Sequence, residues 1–147
     1  MSLALNEHMN IEFPVIQSHR KYFIGGISEK NFQIAGELNM AEEWYKGVRY
    51  IDASGQEWKV VGAKNIGYTS FWQYLQPRKY RTVKIKFDLE RGRKYDLSAL
   101  LKEIEEFIFS HRLLGSPFLN KKKEVPEWLA QFKSIKQLAE YKMYLDW

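Results

Sequence analysis

The segment from Arg81 to Glu90, RTVKIKFDLE, alternates apolar and polar side chains with a period of two. Its inward candidates are Val83, Ile85, Phe87 and Leu89, and its outward candidates are Thr82, Lys84, Lys86, Asp88 and Glu90. Successive side chains of a strand point to opposite faces of a sheet. The pattern therefore predicts an antiparallel strand with one face packed inward and the other in water. We expect this strand to end in a turn at Arg91-Gly92-Arg93.

Further strand-like segments precede it. The apolar run from Ile11 to Gln17 contains Pro14, which lacks a backbone donor, so we expect an edge or bulged strand there. The segment 47–67 predicts two strands joined by a turn from Asp52 to Gly55. Asp begins turns by accepting hydrogen bonds from its own backbone, and Gly supplies a positive φ.

The C-terminal third predicts helices. Asp96 is a good N-cap, and apolar residues recur at helical spacing from Leu97 to Leu113. Pro126 suits the first turn of a short helix. Ser134 is placed to cap a last helix, IKQLAEYKMYL, which ends at residue 145.

Strands first and helices last is the pattern of an α+β fold. We expect an antiparallel sheet of about five strands in the N-terminal two-thirds, covered on one face by C-terminal helices. The 147 residues correspond to a single domain, 1–147, with residues 1–9 disordered or an expression remnant. No signal peptide, long apolar span or cysteine occurs, so we expect a soluble cytoplasmic protein that binds no membrane.

The formal charge of +5 is uneven along the chain. Residues 1–77 hold seven basic and eight acidic side chains, whereas residues 78–147 hold sixteen basic and ten acidic ones. Eight Lys and Arg residues lie between Gln76 and Lys94. A nucleic-acid-binding domain that uses the basic strand 78–94 is therefore one hypothesis, with neighbouring aromatic rings as stacking platforms. Asp88 and Glu90 continue the same face and favour a solvated surface instead.

The residues that usually carry chemistry are scattered. His8, His19 and His111 show no metal-ligand spacing, and no glycine-rich phosphate-binding loop occurs. The carboxylates Glu103, Glu105 and Glu106 fit the outer side of a helix. We therefore expect a non-enzymatic protein with no catalytic residue, no metal and no cofactor.

The aromatic connection from Ser70 to Tyr80, SFWQYLQPRKY, is the strongest functional signal. Trp and Tyr beside Arg are the residue types enriched in protein-binding hot spots. Connecting segments also often carry function. The predicted partner-binding residues are Trp72, Tyr74, Arg78, Tyr80 and Lys84.

Several motifs together resemble a known class of protein. They are IDASGQEWKVVGAKNIG, the FW pair, the charged amphipathic strand, DLSALLKEIEEFI and SIKQLAEYKMYL, spread over residues 47–145. The combination is similar to small single-domain bacterial proteins, which often resemble the immunity proteins of toxin systems. That resemblance implies a protein that binds and blocks one toxin domain. Immunity proteins against basic nuclease toxins tend to be acidic, so this basic chain implies another toxin class or a contact through the N-terminal half.

Overall fold

The computed structural model describes residues 10–19, 22–110, 124–142 and 144–146. Its central element is a seven-stranded sheet in which every strand pair is antiparallel. The strands are β1 Val15–His19, β2 Tyr22–Ile27, β3 Ile34–Gly36, β4 Arg49–Ile51, β5 Gln56–Tyr68, β6 Thr82–Lys94 and β7 Tyr144–Asp146. The helices are α1 Glu29–Phe32, α2 Glu37–Ala41, α3 Leu97–Ser110, α4 Glu124–Leu129 and α5 Ile135–Glu140. The α+β class and the antiparallel sheet agree with the sequence prediction, although the sheet has more strands than the expected five.

The strands lie in the order β3-β6-β5-β4-β1-β2-β7. The long strands β5 and β6 form a hairpin at one side of this sheet. β4 pairs with β5 only from Glu57 to Lys59, and β3 pairs with β6 only from Thr82 to Lys84. Much of the hairpin therefore extends beyond its neighbouring strands.

The face of the sheet under the C-terminal helices holds one apolar cluster. Ile16 of β1 and Ile51 of β4 are fully buried there against Leu100 and Ile104 of α3 and Leu138 of α5. Each fully buried aliphatic side chain contributes about 1.5–3 kcal/mol of hydrophobic stabilisation. This cluster fixes the helices on the half of the sheet formed by β1, β2 and β4.

The opposite face holds a second cluster that the sequence pattern did not predict. Val15 and Tyr50, the chain neighbours of Ile16 and Ile51, point to this side because strand side chains alternate. Phe32 of α1 packs edge-on against Tyr50, and Phe87 of β6 adjoins both rings. The sheet is therefore covered on both faces where β1 and β4 lie.

Several local predictions are confirmed. Val83, Ile85, Phe87 and Leu89 are buried, and the even positions Lys84, Lys86, Asp88 and Glu90 are exposed. Asp52 Oδ1 accepts from the backbone N–H groups of Ser54 and Gln56, and Gly55 has φ +93°. Asp96 accepts from Ala99 N, and Ser134 accepts from Gln137 N, so both helix caps form.

Two local predictions are wrong, and a third is confirmed in only one of its two alternatives. β1 begins after Pro14 and lies between β2 and β4, so it is not an edge strand, but its register with β2 shifts between Val15 and Gln17, as the bulged alternative predicts. β6 continues through Arg91-Gly92-Arg93, because β5 pairs with it as far as Gln56 opposite Lys94. The last helix ends at Glu140, and residues 144–146 pair with β2 as β7 instead of continuing it.

Helix α3 ends at Ser110 within the described residues, so the predicted extension to Leu113 lies outside them, as do residues 1–9, His8 and His111. None of the helices in the described part of the chain is both long and apolar enough to cross a bilayer.

Candidate functional site

The far end of the β5–β6 hairpin is the candidate site, and we call residues 62–88 the arm and residues 69–81 the tip. The tip begins where the two strands are joined by paired threonines. Thr69 N donates to Thr82 O at 3.1 Å, and the two hydroxyl oxygens lie 2.7 Å apart. Two short 3-10 helices follow, Phe71–Leu75 and Arg78–Tyr80, separated at Pro77.

Arg81 holds this connection in place through three hydrogen bonds. Its guanidinium donates to Gln76 O at 2.9 Å, to Tyr74 O at 3.3 Å and to the Tyr68 hydroxyl at 3.2 Å. Thr82 N adds a bond to Gln73 Oε1 at 2.8 Å. The backbone of the tip is thus fixed by polar contacts to its own carbonyls. Its apolar side chains are not needed to fill a core beneath it.

Those apolar side chains instead face solvent. Five large apolar side chains of the tip are between 61% and 73% exposed, namely Phe71, Trp72, Tyr74, Leu75 and Tyr80. Phe71 contacts both Trp72 and Tyr74, with ring centroids about 6 Å apart, so the surface is contiguous there. Contiguous exposed apolar patches on soluble proteins commonly mark interaction sites.

The chain segment that includes the tip carries only basic charged side chains, although one carboxylate from α2 lies beside it. Residues 58–87 contain seven Lys and Arg residues and neither Asp nor Glu. Arg78 lies 3.7 Å from Glu37 of α2, and Tyr68 also donates to that carboxylate. Lys64 of β5 is paired directly with Lys86 of β6, and both are exposed. Like charges placed opposite each other destabilise a strand pair.

The structure places all five predicted partner-binding residues on the surface. Trp72, Tyr74, Arg78 and Tyr80 belong to the tip, whereas Lys84 lies on the open face of β6 outside the tip. Sequence reasoning missed Phe71 and Leu75. The signal that points to them is the run FWQYL, which holds four large apolar residues without the period of a half-buried strand.

A second polar region lies between α3 and the ends of β1 and β4. It is a cleft of about 500 Å³ lined by Ser18, His19, Phe23, Gly47, Arg49, Glu103, Glu106, Phe107 and Ser110. His19 stacks on Tyr22 with ring centroids 5.2 Å apart. Among the described residues, no cluster of His, Asp and Glu side chains is arranged to hold a metal ion.

Arg49 dominates the chemistry of this cleft. Its guanidinium donates to Glu57 Oε2 at 2.7 Å, to Glu103 Oε1 and to the Tyr95 hydroxyl. Burial lowers the pKa of Arg49, but the bonds to the two carboxylates outweigh it and raise that pKa above its usual value. For Tyr95, whose charged form is an anion, burial raises the pKa to about 12. The ion pairs tie α3 to the sheet, so we assign this group a structural role.

Comparison with known proteins gave no match to a family model, a curated protein or a solved structure.

Proposed function

We propose that this chain is a non-enzymatic bacterial protein that binds another protein through its tip. Its specific role in this proposal is that of a cytoplasmic immunity protein that blocks a toxin domain. The observation that carries the proposal is the exposed set of Phe71, Trp72, Tyr74, Leu75 and Tyr80 on a connection fixed by Arg81.

The residue types of the tip favour a protein partner. Hot spots of protein interfaces are enriched in Trp, Tyr and Arg, and a few such residues supply most of the binding energy. Phe, Tyr and Trp each bury about 150–250 Å² when they are covered. The tip therefore offers much of the apolar area that one side of a standard interface needs, about 800 Å².

The order of the tip also supports this proposal. Binding is weakened when loops and side chains must be ordered at the interface, and a prearranged surface avoids part of that cost. Because Arg81 bonds to the carbonyls of Tyr74 and Gln76, the backbone beneath the aromatic rings is already set.

The test is capture of a partner from a lysate of the source organism by the wild-type chain and by two variants. The first variant combines Trp72→Ala with Tyr74→Ala, and the control is Phe109→Ala, an exposed aromatic residue on α3. We expect one stoichiometric protein with the wild type and the control, retained after nuclease treatment, and its loss with the double variant. The thermal unfolding transition of all three proteins should be the same.

Two results would overturn the proposal. Equal capture by the double variant would remove the tip as the site. Loss of the unfolding transition in that variant would show that Trp72 and Tyr74 stabilise the fold rather than a complex.

A second candidate is nucleic-acid binding through the basic strand 78–94. The observation that favours it is the uncompensated pair Lys64 and Lys86, with Lys84 on the same open face. It predicts binding to DNA or RNA whose affinity falls about 10³–10⁵-fold between 50 and 200 mM salt, as expected for about six to ten phosphate contacts. Absent or salt-independent binding to duplex and single-stranded oligonucleotides would exclude this candidate.

A further inference from the structure

Some basic residues of the β5–β6 hairpin and its tip face a carboxylate, and others do not. Lys59 lies opposite Glu90 in the β5–β6 register, and Arg78 lies near Glu37. Lys64, Lys79, Lys84 and Lys86 are all exposed, and none of them forms an ion pair with a described carboxylate. These four lysines therefore create a positive field along the arm in which no described carboxylate forms an ion pair with them, although Asp88 lies on the same face of β6.

The register makes this field unfavourable for the free protein. Lys64 and Lys86 are direct cross-strand partners, and such like-charge pairs cost stability. A covering surface that supplied carboxylates would remove this repulsion. Charge complementarity of this kind also accelerates encounter and excludes partners of the wrong sign.

The shape of the tip further restricts the kinds of partner that could bind it. The rings of Phe71 and Trp72 meet at 74°, and those of Tyr68 and Tyr74 at 73°. Rings set edge-on to one another present no series of parallel faces on which bases could stack. Phe71, Trp72 and Leu75 are the most exposed apolar side chains of the described residues, so the surface that covers them must be concave.

The fixed backbone of the tip favours a folded protein over a lipid surface as the partner. Arg81 bonds to two carbonyls and one hydroxyl within or beside the tip, which sets the relative positions of its side chains. A partner with its own fixed shape benefits from such an arrangement because both surfaces keep their order on binding. A lipid surface adapts to any arrangement, so a fixed geometry of the side chains adds no selectivity for it.

From these observations we infer that the partner is a folded acidic protein. It presents an apolar pocket for Phe71, Trp72 and Leu75, and Asp and Glu side chains at the rim of that pocket meet the lysines of the arm. This inference rests on the proposed function, since it names the chemistry of the partner that the tip binds.

The test uses a display library of folded repeat domains with a randomised concave face, selected on the wild-type chain. The affinity and association rate of the selected binders are then measured with three variants, of which the arm and control variants carry the same number of substitutions. The tip variant combines Phe71→Ser, Trp72→Ser and Leu75→Ser. The arm variant combines Lys64→Gln, Lys79→Gln, Lys84→Gln and Lys86→Gln. The control variant combines Lys30→Gln, Lys102→Gln, Lys133→Gln and Lys142→Gln. The arm and control variants lose the same formal charge from exposed lysines, so they differ only in where the charge is removed.

We expect selected binders that combine apolar residues with an excess of Asp and Glu in the randomised face. Their association with the arm variant should be at least about tenfold slower at low salt, and that with the control nearly unchanged. Their binding to the tip variant should be lost.

The outcomes separate the inference from the proposed function. Binders that require the tip but carry no acidic excess, and that treat the arm and control variants alike, would overturn the acidic partner and leave protein binding intact. A selection that yields no binder dependent on the tip would overturn both. Tip-dependent binding to vesicles of phosphatidylcholine and phosphatidylglycerol, or to a duplex oligonucleotide, would also overturn the inference in favour of that surface.

Discussion

Two tryptophans on the β5–β6 hairpin show how differently the two ends of this hairpin are used. Trp58 is 2% exposed and donates from Nε1 to the fully buried carboxylate of Asp52 at 3.0 Å. Trp72 is 67% exposed. Trp58 lies where β4 pairs with β5, whereas Trp72 lies past the point where any described strand pairs with the outer edge of β5. Neighbouring elements, and not residue type, decide which aromatic side chains stabilise the fold and which remain for a partner.

The largest expected effect comes from the same substitution at both tryptophans. Trp58→Ala should lower the free energy of unfolding by about 3–5 kcal/mol, because it opens a cavity in the second cluster and removes a donor from Asp52. Trp72→Ala should change it by less than about 0.5 kcal/mol. Urea unfolding followed by circular dichroism measures both. Similar losses of unfolding free energy at the two sites would contradict the conclusion that one end of the hairpin stabilises the fold and the other does not. Trp58→Phe can replace the alanine variant if that variant fails to fold.

The next effect concerns the charged group that ties α3 to the sheet. Arg49→Met should destabilise the fold by about 3 kcal/mol, because it leaves the buried Glu57 carboxylate without its cation. Arg78→Met, which removes a mostly exposed guanidinium from the tip, should cost less than about 1 kcal/mol. Urea unfolding at neutral pH compares the free energies of unfolding of the two variants. An equal loss in both would show that the ion pairs of Arg49 do not stabilise the packing of α3 on the sheet.

A smaller effect is expected for the order of the tip. Arg81→Lys keeps the charge but cannot reproduce three directed bonds, so the connection should loosen while global stability falls by less than about 1 kcal/mol. Amide hydrogen exchange of Thr82, whose N–H bonds to Gln73, should become faster, whereas exchange in α3 should not change. Unchanged exchange at Thr82 would show that Arg81 does not hold the tip.

The smallest expected effect concerns the charged residues that face each other across the β5–β6 hairpin. Lys64→Glu should stabilise the fold by about 0.2–1 kcal/mol, since it places an acid opposite Lys86. Glu90→Lys should have the opposite sign and a similar size, since it places a lysine opposite Lys59. Thermal unfolding of the two variants side by side gives the signs; the same sign for both would show that cross-strand charge does not act in this hairpin.

The candidate site could be predicted from the sequence in part. The residue types of Trp72, Tyr74, Arg78 and Tyr80 pointed to a binding surface, and the structure places their side chains in solvent. The clamp formed by Arg81 could not be predicted. Arg81 lies where the alternation of buried and exposed residues in β6 begins. No sequence signal within a few residues shows that its guanidinium bonds to the carbonyls of Tyr74 and Gln76.

The sequence by itself determined the face of β6 that is buried, the turn at Asp52 and the caps of Asp96 and Ser134. These features depend on strand alternation and on hydrogen bonds between residues a few positions apart, so a short window contains their cause. Only the tertiary structure decided that β1 is interior, that residues 144–146 pair with β2, and that Trp58 is buried while Trp72 is exposed. Each of these depends on which distant segments pack together, because the burial of a side chain is set by its neighbours in space and not by its neighbours in the chain.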